Sequence, residues 1–418
     1  MDGKCRISGE NLIPVIDLGS HYISDFVSKD NITNKDTYKL LLGYGTKSKI
    51  LQLWDSYPPE KMFIDYYYKS DMNEVMINEM KDIARTSFKY IGVNQIKHND
   101  VILDIGSNVG TLLNEYRNIL GPKRYVGIDP SNVAKESKFY NTDGLLINDF
   151  FSIKNYFAHE EKQAKIITSI AMFYDIENPI DWLKEVYECL SYDGLFILQI
   201  NYTPFTILSN CYDNLGNEHI MYYSFSNLLE LFNKAGFKIV DLEFNNINGG
   251  CIRIYANKEI YKNPYLGEHD KIIAQFKQQS TIDFEDQKGF NSIELYKNWQ
   301  KEIENLRKDT IDWLTKQKEC GKKVVGLSAS TRGNTILQYC GITPDLISCI
   351  GERDPSKVGK YTIGTGIPIV SEDEMRAMNP DYLFVFTYHY RNSIVEREKD
   401  LLAKGTKLVF PIPKLSIL

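Results

Sequence analysis

The stretch Val101-Ile102-Leu103-Asp104-Ile105-Gly106-Ser107-Asn108-Val109-Gly110 decides how this chain is read. An apolar run ends in an acid, then turns through a glycine-bearing loop into the helix-like Thr111-Leu112-Leu113-Asn114-Glu115-Tyr116. A second apolar run, Tyr125-Val126-Gly127-Ile128, ends in Asp129. Two acids at the C-terminal ends of neighbouring parallel strands, on either side of a bare backbone loop, make a site for a nucleoside cofactor. Gly106 and Gly110 let a ligand approach the main chain closely. Asp129 is placed to hold two ribose hydroxyls. Ser107, Asn108 and Pro130 belong to the same wall.

Working outward, further strands are expected at 145–147, 166–170 and 195–201, alternating with helical patterns, as in a doubly wound α/β sheet. Two last strands, Lys238–Phe244 and Gly250–Tyr255, are separated only by Asn245–Gly249. That link is too short for a parallel crossover, so the pair must be antiparallel. A parallel sheet closed by an antiparallel hairpin is the seven-stranded methyltransferase pattern. A nicotinamide-dinucleotide loop would read G-x-G-x-x-G, whereas position 108 here is Asn108. Loop and hairpin together favour S-adenosylmethionine. Asp149, before Phe150-Phe151, suits an adenine amino group with an aromatic beside the ring.

Four segments follow from this division. Residues 1–72 read as a small lobe of short strands, 73–258 as the methyltransferase unit, 259–320 as a charged helical connector and 321–418 as a second α/β unit. At 418 residues the chain is too long for one core. Its 43% hydrophobic and 25% charged residues are those of an ordinary globular protein. The net charge of −6 argues against nucleic acid as a main partner. No apolar run is long enough to span a bilayer and no signal-peptide core is present. Seven scattered cysteines without a C-x-x-C pair read as reduced thiols, so a cytoplasmic location is expected.

Beyond the loop, Ala171-Met172-Phe173-Tyr174-Asp175 follows the fourth strand, where ligands lie in open α/β sheets. Ala171 and Phe173 are expected at the cofactor and Tyr174 at the substrate; Asp175 and Asn178 also read as caps of the helix that follows. Asn217-Glu218-His219 lies after the fifth strand. His is the natural general base near neutrality, and an adjacent acid can orient or tune it. A surface His beside a surface Glu is the plainer reading. Tyr66-Tyr67-Tyr68 sits at a unit junction, where a phenol such as Tyr68 could donate to a developing enolate, or simply pack. Asn248 stands in a hairpin turn but could face the site. The loop Ser328-Ala329-Ser330-Thr331-Arg332-Gly333-Asn334 offers amides, hydroxyls and a guanidinium at a helix start, which suits a diphosphate or else a simple cap with a surface Arg. Tyr388 and His389 could share that crevice, and Tyr222 completes the candidates for substrate contact; Lys357 and Lys360 are weaker ones.

Taken together, Ile16-Asp17-Leu18-Gly19, Leu103–Gly110, Met172-Phe173-Tyr174-Asp175, Glu218-His219 with Tyr222-Tyr223-Ser224, Asn248-Gly249-Gly250 and the loop 326–334 resemble the nucleotide-sugar C-methyltransferases that make branched deoxysugars. The resemblance covers nearly the whole chain. It implies a central class I methyltransferase (Rossmann-like) sheet that binds S-adenosylmethionine, and outer units that help hold a nucleotide-diphosphate sugar, a building block for polysaccharide biosynthesis. It also implies that Glu218-His219 supplies the base, with Tyr68 or a neighbour close by. Two departures stand out. The family's N-terminal lobe usually holds zinc through two C-x-x-C pairs, and here the matching positions read Cys5-Arg6-Ile7-Ser8 and Gly45-Thr46-Lys47-Ser48. One thiolate cannot make a tetrahedral zinc site, so no metal is expected. Some members carry a tyrosine two residues before the Glu-His pair, where Gly216 stands, or a histidine in place of Asp175.

The expected reaction is therefore carbon methylation of a keto-sugar nucleotide by a monomer or small homo-oligomer, without membrane insertion. O- or N-methylation of a nucleotide-linked or glycan sugar, a nicotinamide-dependent sugar oxidoreductase and a binding protein that has lost catalysis are the alternatives.

Overall fold

A computed structural model describes residues 3–66 and 68–418. The run from Val101 is the first strand of a seven-stranded sheet: β1 Val101–Ile105, β2 Arg124–Ile128, β3 Leu145–Ile147, β4 Ala164–Ile170, β5 Leu190–Asn201, β6 Phe237–Asn245 and β7 Cys251–Lys258. The spatial order is β6-β7-β5-β4-β1-β2-β3. β1 to β5 pair in parallel, and β7 runs antiparallel to both β5 and β6. This is the class I methyltransferase sheet, with the terminal hairpin that the short 245–249 link requires.

Val101, Ile102, Leu103 and Ile105 are fully buried. A strand apolar on both faces is what helices on both sides demand, and burying each such side chain is worth about 1.5–3 kcal/mol. One face is covered by the helices Glu74–Ile91 and Thr111–Leu120, which share a core of Met80, Ile83, Leu112 and Leu113. Asn73 starts the first of them by accepting the Val75 amide.

The N-terminal strands Ile13–Tyr22, Thr37–Tyr44 and Leu51–Leu53 form an antiparallel sheet whose fourth strand, Met221–Tyr222, comes from between β5 and β6. Within the lobe, positions 5, 8, 45 and 48 do converge, but on a carboxylate. Glu10 accepts the amides of Lys47 (2.9 Å) and Ser48 (3.1 Å) and the hydroxyls of Ser8 (2.8 Å) and Thr46 (3.0 Å). The Cys5 thiol donates to Ser48 Oγ at 3.2 Å. One thiol, two hydroxyls and a glycine do not fit a zinc ion. Among the described residues no group of three or more His, Cys, Asp or Glu is arranged to hold a metal.

The connector is two long helices, Glu268–Lys288 and Ile293–Glu319, turned at Gly289. Tyr296, Trp299, Ile303, Leu306, Thr310 and Leu314 are buried at steps of three and four, one face of the second helix. Glu285 of the first helix is buried against the start of the helix Phe225–Lys234. Its carboxylate accepts the Phe225 amide (2.6 Å), the Ser226 amide (3.0 Å) and the Tyr202 hydroxyl (2.6 Å). A negative charge there satisfies amides that the helix itself leaves unpaired.

The last unit is a six-stranded sheet in the order Ile369–Ser371, Ile350–Glu352, Val324–Leu327, Tyr382–Val385, Lys407–Phe410, Ser416–Ile417, parallel except for the final strand. The strand Ile350–Glu352 starts no earlier than Ile350, because Leu346 and Ile347 donate back to the Thr343 carbonyl in a turn. Among the described residues no helix is long and apolar enough to cross a membrane.

Candidate active site

A cavity of about 490 Å³ opens at the carboxyl ends of β1, β2 and β4. Its floor is the quoted loop. Gly106 (φ 75°) and Asn108 (φ 49°) are left-handed, the conformation that glycine adopts freely and Asn tolerates. A side chain at 106 would meet Met172 at 2.9 Å, so the loop lies directly against the turn after β4. Gly110 caps the helix Thr111–Leu120 and does not line the cavity.

Asp104 is buried and accepts the Thr168 hydroxyl at 2.6 Å. Burial raises its carboxyl to about 7, with Asp129 adding and the Thr168 bond opposing. Asp129 accepts the Asn108 amide at 2.7 Å on Oδ2 and the amide and hydroxyl of Ser131 on Oδ1. Pro130, Phe150, Ser107, Asn108 and Ala171 all line the cavity. Asp149 does not: it is exposed and engages the Phe150 amide and Asn155. Phe173 lies wholly in the core, stacked on Tyr223 with centroids 5.2 Å apart.

Opposite the floor stand Glu218 and His219. Ile220 is held on both sides: its amide donates to the Tyr174 carbonyl (3.0 Å) and its carbonyl accepts the Leu53 amide (2.9 Å). The N-terminal lobe thus fixes the residue before it. His219 Nδ1 lies 3.1 Å from the Asn214 carbonyl, and its ring packs on Tyr174 with centroids 4.2 Å apart. A carbonyl only accepts, so Nδ1 carries the hydrogen and Nε2 keeps its lone pair. Burial depresses the imidazole pKa, Arg332 adds to the depression, and Glu218 and the Asn214 carbonyl oppose it. Gly216 matters here because a side chain at that position would meet the Glu218 carboxyl at 3.1 Å. Asn217 is buried off the cavity, and Tyr222 Oη accepts the Gly216 amide at 3.3 Å.

The segment before Ser70 covers the floor. Tyr66 and Tyr68 line the cavity, whereas Tyr67 lies outside the described residues. Asn108 ties this segment to the loop, donating to the Tyr68 carbonyl (2.9 Å) and accepting the Ser70 amide (3.0 Å).

From the last unit, Thr331 and Arg332 reach the cavity, as does Asn248 from the hairpin. Arg332 pairs with Asp213 and donates to the Asn248 carbonyl at 2.7 Å and to Tyr388 Oη at 2.6 Å. The rest of the 328–334 loop is turned to its own structure. Ser330 Oγ caps the helix by accepting the Gly333 amide, Ser328 donates its amide to Gly351, and the Ala329 amide is taken by the Glu352 carboxylate at 2.7 Å. Asn334 is buried against Ser24 and Asp25. Tyr388 and His389 stand behind Arg332 and off the cavity; burial, then Arg332, lowers the His389 pKa to about 3. Lys357 donates to the Ala329 carbonyl, and Lys360 is exposed.

Asp213 and Asn214 line the cavity and were not foreseen. The only sequence signal was their place four and five residues before Glu218.

Residues 68–242 match the family described as a methyltransferase domain, and residues 246–413 match the C-methyltransferase C-terminal domain. Each of the two matched models describes a methyltransferase. It is 24% identical over 415 residues to the C-methyltransferase NovU of Streptomyces niveus, covering 98% of this chain and 96% of that one. Among solved structures it is similar to an S-adenosylmethionine-dependent methyltransferase from Clostridium acetobutylicum (14% identity, 43% of this chain and 91% of that chain, TM-score 0.35). It is also similar to the magnesium protoporphyrin IX methyltransferase of Synechocystis with bound S-adenosylhomocysteine (12%, 46% and 90%, TM-score 0.34). The enzyme is an S-adenosylmethionine-dependent methyltransferase. The cavity fits that group: two strand-end acids, a loop open to the main chain and apolar walls at Leu112, Ile128 and Phe150.

Proposed function

We propose that the enzyme methylates a carbon atom of a keto-sugar nucleotide through an enolate, with His219 as the base. The observation that carries this reading is the His219 tautomer: Nδ1 is committed to the Asn214 carbonyl, which leaves Nε2 as a proton acceptor in a cavity lined also by the cofactor loop.

Asp129 would hold the ribose hydroxyls, the Gly106–Asn108 backbone would meet the methionine portion, and Phe150 would flank the adenine. When bound, S-adenosylmethionine supplies an electrophilic methyl on a sulfonium. The chain's own residues do the rest. A ketone acidifies the adjacent C–H, and His219 Nε2 takes that proton. Glu218, beside it, stabilises the imidazolium that results. A hydrogen-bond donor on the wall, with Tyr68 among the candidates, meets the oxygen where charge develops. Tyr174 and Asn248 would contact the sugar. Thr331 and Arg332 would meet the diphosphate, Arg332 with much of its charge already answered by Asp213. The main contribution is to hold proton acceptor, oxygen donor and substrate carbon in one geometry.

A panel of keto-sugar nucleotides incubated with enzyme and S-adenosylmethionine, with products read by mass spectrometry, tests the substrate class. His219→Ala should abolish turnover and leave cofactor binding intact. Unchanged turnover in that variant removes the base assignment.

A further inference from the structure

Asp175 stands on the cavity wall, in the short turn after β4. Its Oδ1 is shielded from solvent and, among the described residues, meets no hydrogen-bond donor. The groups facing it are an acid and phenols: Glu218 from the 216–219 segment, Tyr66 from the cover, Tyr222 from the strand added to the N-terminal sheet, Tyr223 just after that strand, and Tyr174 beside it. An ionised carboxyl there would be a buried charge without a cation, next to the Glu218 carboxylate.

Its placement relative to the base is set by one backbone hydrogen bond. The Ile220 amide donates to the Tyr174 carbonyl at 3.0 Å. Asp175 follows Tyr174 and His219 precedes Ile220, so the two side chains leave from either end of the same link. The His219 ring lies over Tyr174 as well. Both residues line one cavity.

We propose that Asp175 is a proton-bearing carboxyl that donates to the keto oxygen of the substrate while His219 removes the adjacent proton. The proposal rests on the keto-sugar reading above. In the step, the C–H proton moves to His219 Nε2 and the C–H pair becomes the carbon–carbon double bond of the enolate. The carbonyl π pair moves to oxygen, and that oxygen accepts the Asp175 O–H. Burial and the Glu218 charge both push the Asp175 carboxyl well above the usual carboxylate range, which keeps the donor proton in place near neutrality. Tyr68, by contrast, is 38% exposed, where a donor is weakened by water.

The alternative role for an acid here is an anion facing the sulfonium, and the two roles separate experimentally. Full-length wild type, Asp175→Asn and Asp175→Ala are compared by three readouts. Infrared difference spectra of wild type against Asp175→Asn at neutral pH report the protonation state of the carboxyl. Calorimetry with S-adenosylmethionine and with S-adenosylhomocysteine reports whether a negative charge is needed. Turnover is measured with the keto-sugar nucleotide that the wild type methylates. The expected results are a protonated-carboxyl band lost in Asp175→Asn and unchanged affinity for both cofactor forms. Turnover should fall about 100- to 1,000-fold in Asp175→Ala, and Asp175→Asn, whose amide also donates, should recover a large part of it. An ionised Asp175, a selective loss of S-adenosylmethionine affinity, an Asn variant no faster than Ala, or an Ala variant with wild-type turnover overturns the proposal. A wild-type enzyme that methylates carbon in no keto-sugar nucleotide removes the underlying reading as well, and that result is obtained before any variant is made.

Discussion

Arg332 grips Asp213 through two hydrogen bonds, Nε to Oδ2 at 2.8 Å and the terminal nitrogen to Oδ1 at 3.2 Å, joining the last unit to the methyltransferase unit. The Asp213 side chain is fully buried, and Tyr388 donates to the same carboxylate at 2.8 Å. Removing one partner of a buried pair leaves the other charged and unanswered. Asp213→Ala should therefore lower the free energy of unfolding by about 3–5 kcal/mol, measured by equilibrium urea denaturation. A loss under about 1 kcal/mol, the range of solvated pairs, would show that the link does not hold the units together.

Glu10 does the cross-linking in the N-terminal lobe. Burial opposes its ionisation, but the Ser48 amide, the Ser8 and Thr46 hydroxyls and the Lys47 amide outweigh that and lower its pKa from 4.5 to about 2. A lowered carboxyl pKa means stability that is present above pH 4.5 and is lost as pH falls through about 2. Glu10→Gln should remove that acid dependence and speed amide hydrogen exchange at Lys47 and Ser48. Metal analysis of the purified protein should find no stoichiometric zinc. Because Arg6 lies in the same turn and bonds Glu177 of the cavity wall at 2.8 Å, the variant should also raise KM.

His219 sets the acid limb of activity. Its pKa is lowered from 6.5, with burial the main cause, so the neutral base persists below the ordinary imidazole range. The kcat/KM profile should stay flat from neutrality down through pH 6.5 and fall only below it. Glu218→Gln removes a charge that favours the imidazolium, and should move the limb further down. A midpoint at or above pH 6.5 in the wild type would contradict this account. The same shift costs stability in acid: below pH 6.5 the unfolded chain takes up a proton that the folded one refuses, so unfolding should grow easier there.

The sheet was legible in the sequence because its signals are local. Three buried apolar residues before Asp104 and a five-residue link before Gly250 fix strand, acid and hairpin without knowledge of any partner. The site was legible where it sits at strand ends, as with Asp104, Asp129 and Ala171. It was not legible where a distant segment decides. That Asp213 answers Arg332, that Glu352 takes the Ala329 amide and that Met221–Tyr222 joins the N-terminal sheet all depend on pairings across tens to hundreds of residues. The loop Ser328–Asn334 illustrates the limit: a helix start with serines looks open throughout in sequence, whereas in the fold the Ala329 and Gly333 amides already have acceptors and only Thr331 and Arg332 reach the cavity.

The most direct test of the central claim uses S-adenosylmethionine labelled with carbon-13 in the methyl group. Wild type and His219→Ala are each incubated with the panel of keto-sugar nucleotides and the products read by NMR. The account predicts a labelled methyl coupled to a sugar carbon with the wild type and none with the variant, while both bind S-adenosylhomocysteine equally. A labelled methyl on oxygen or nitrogen, or a carbon product that survives the loss of the imidazole, would contradict it.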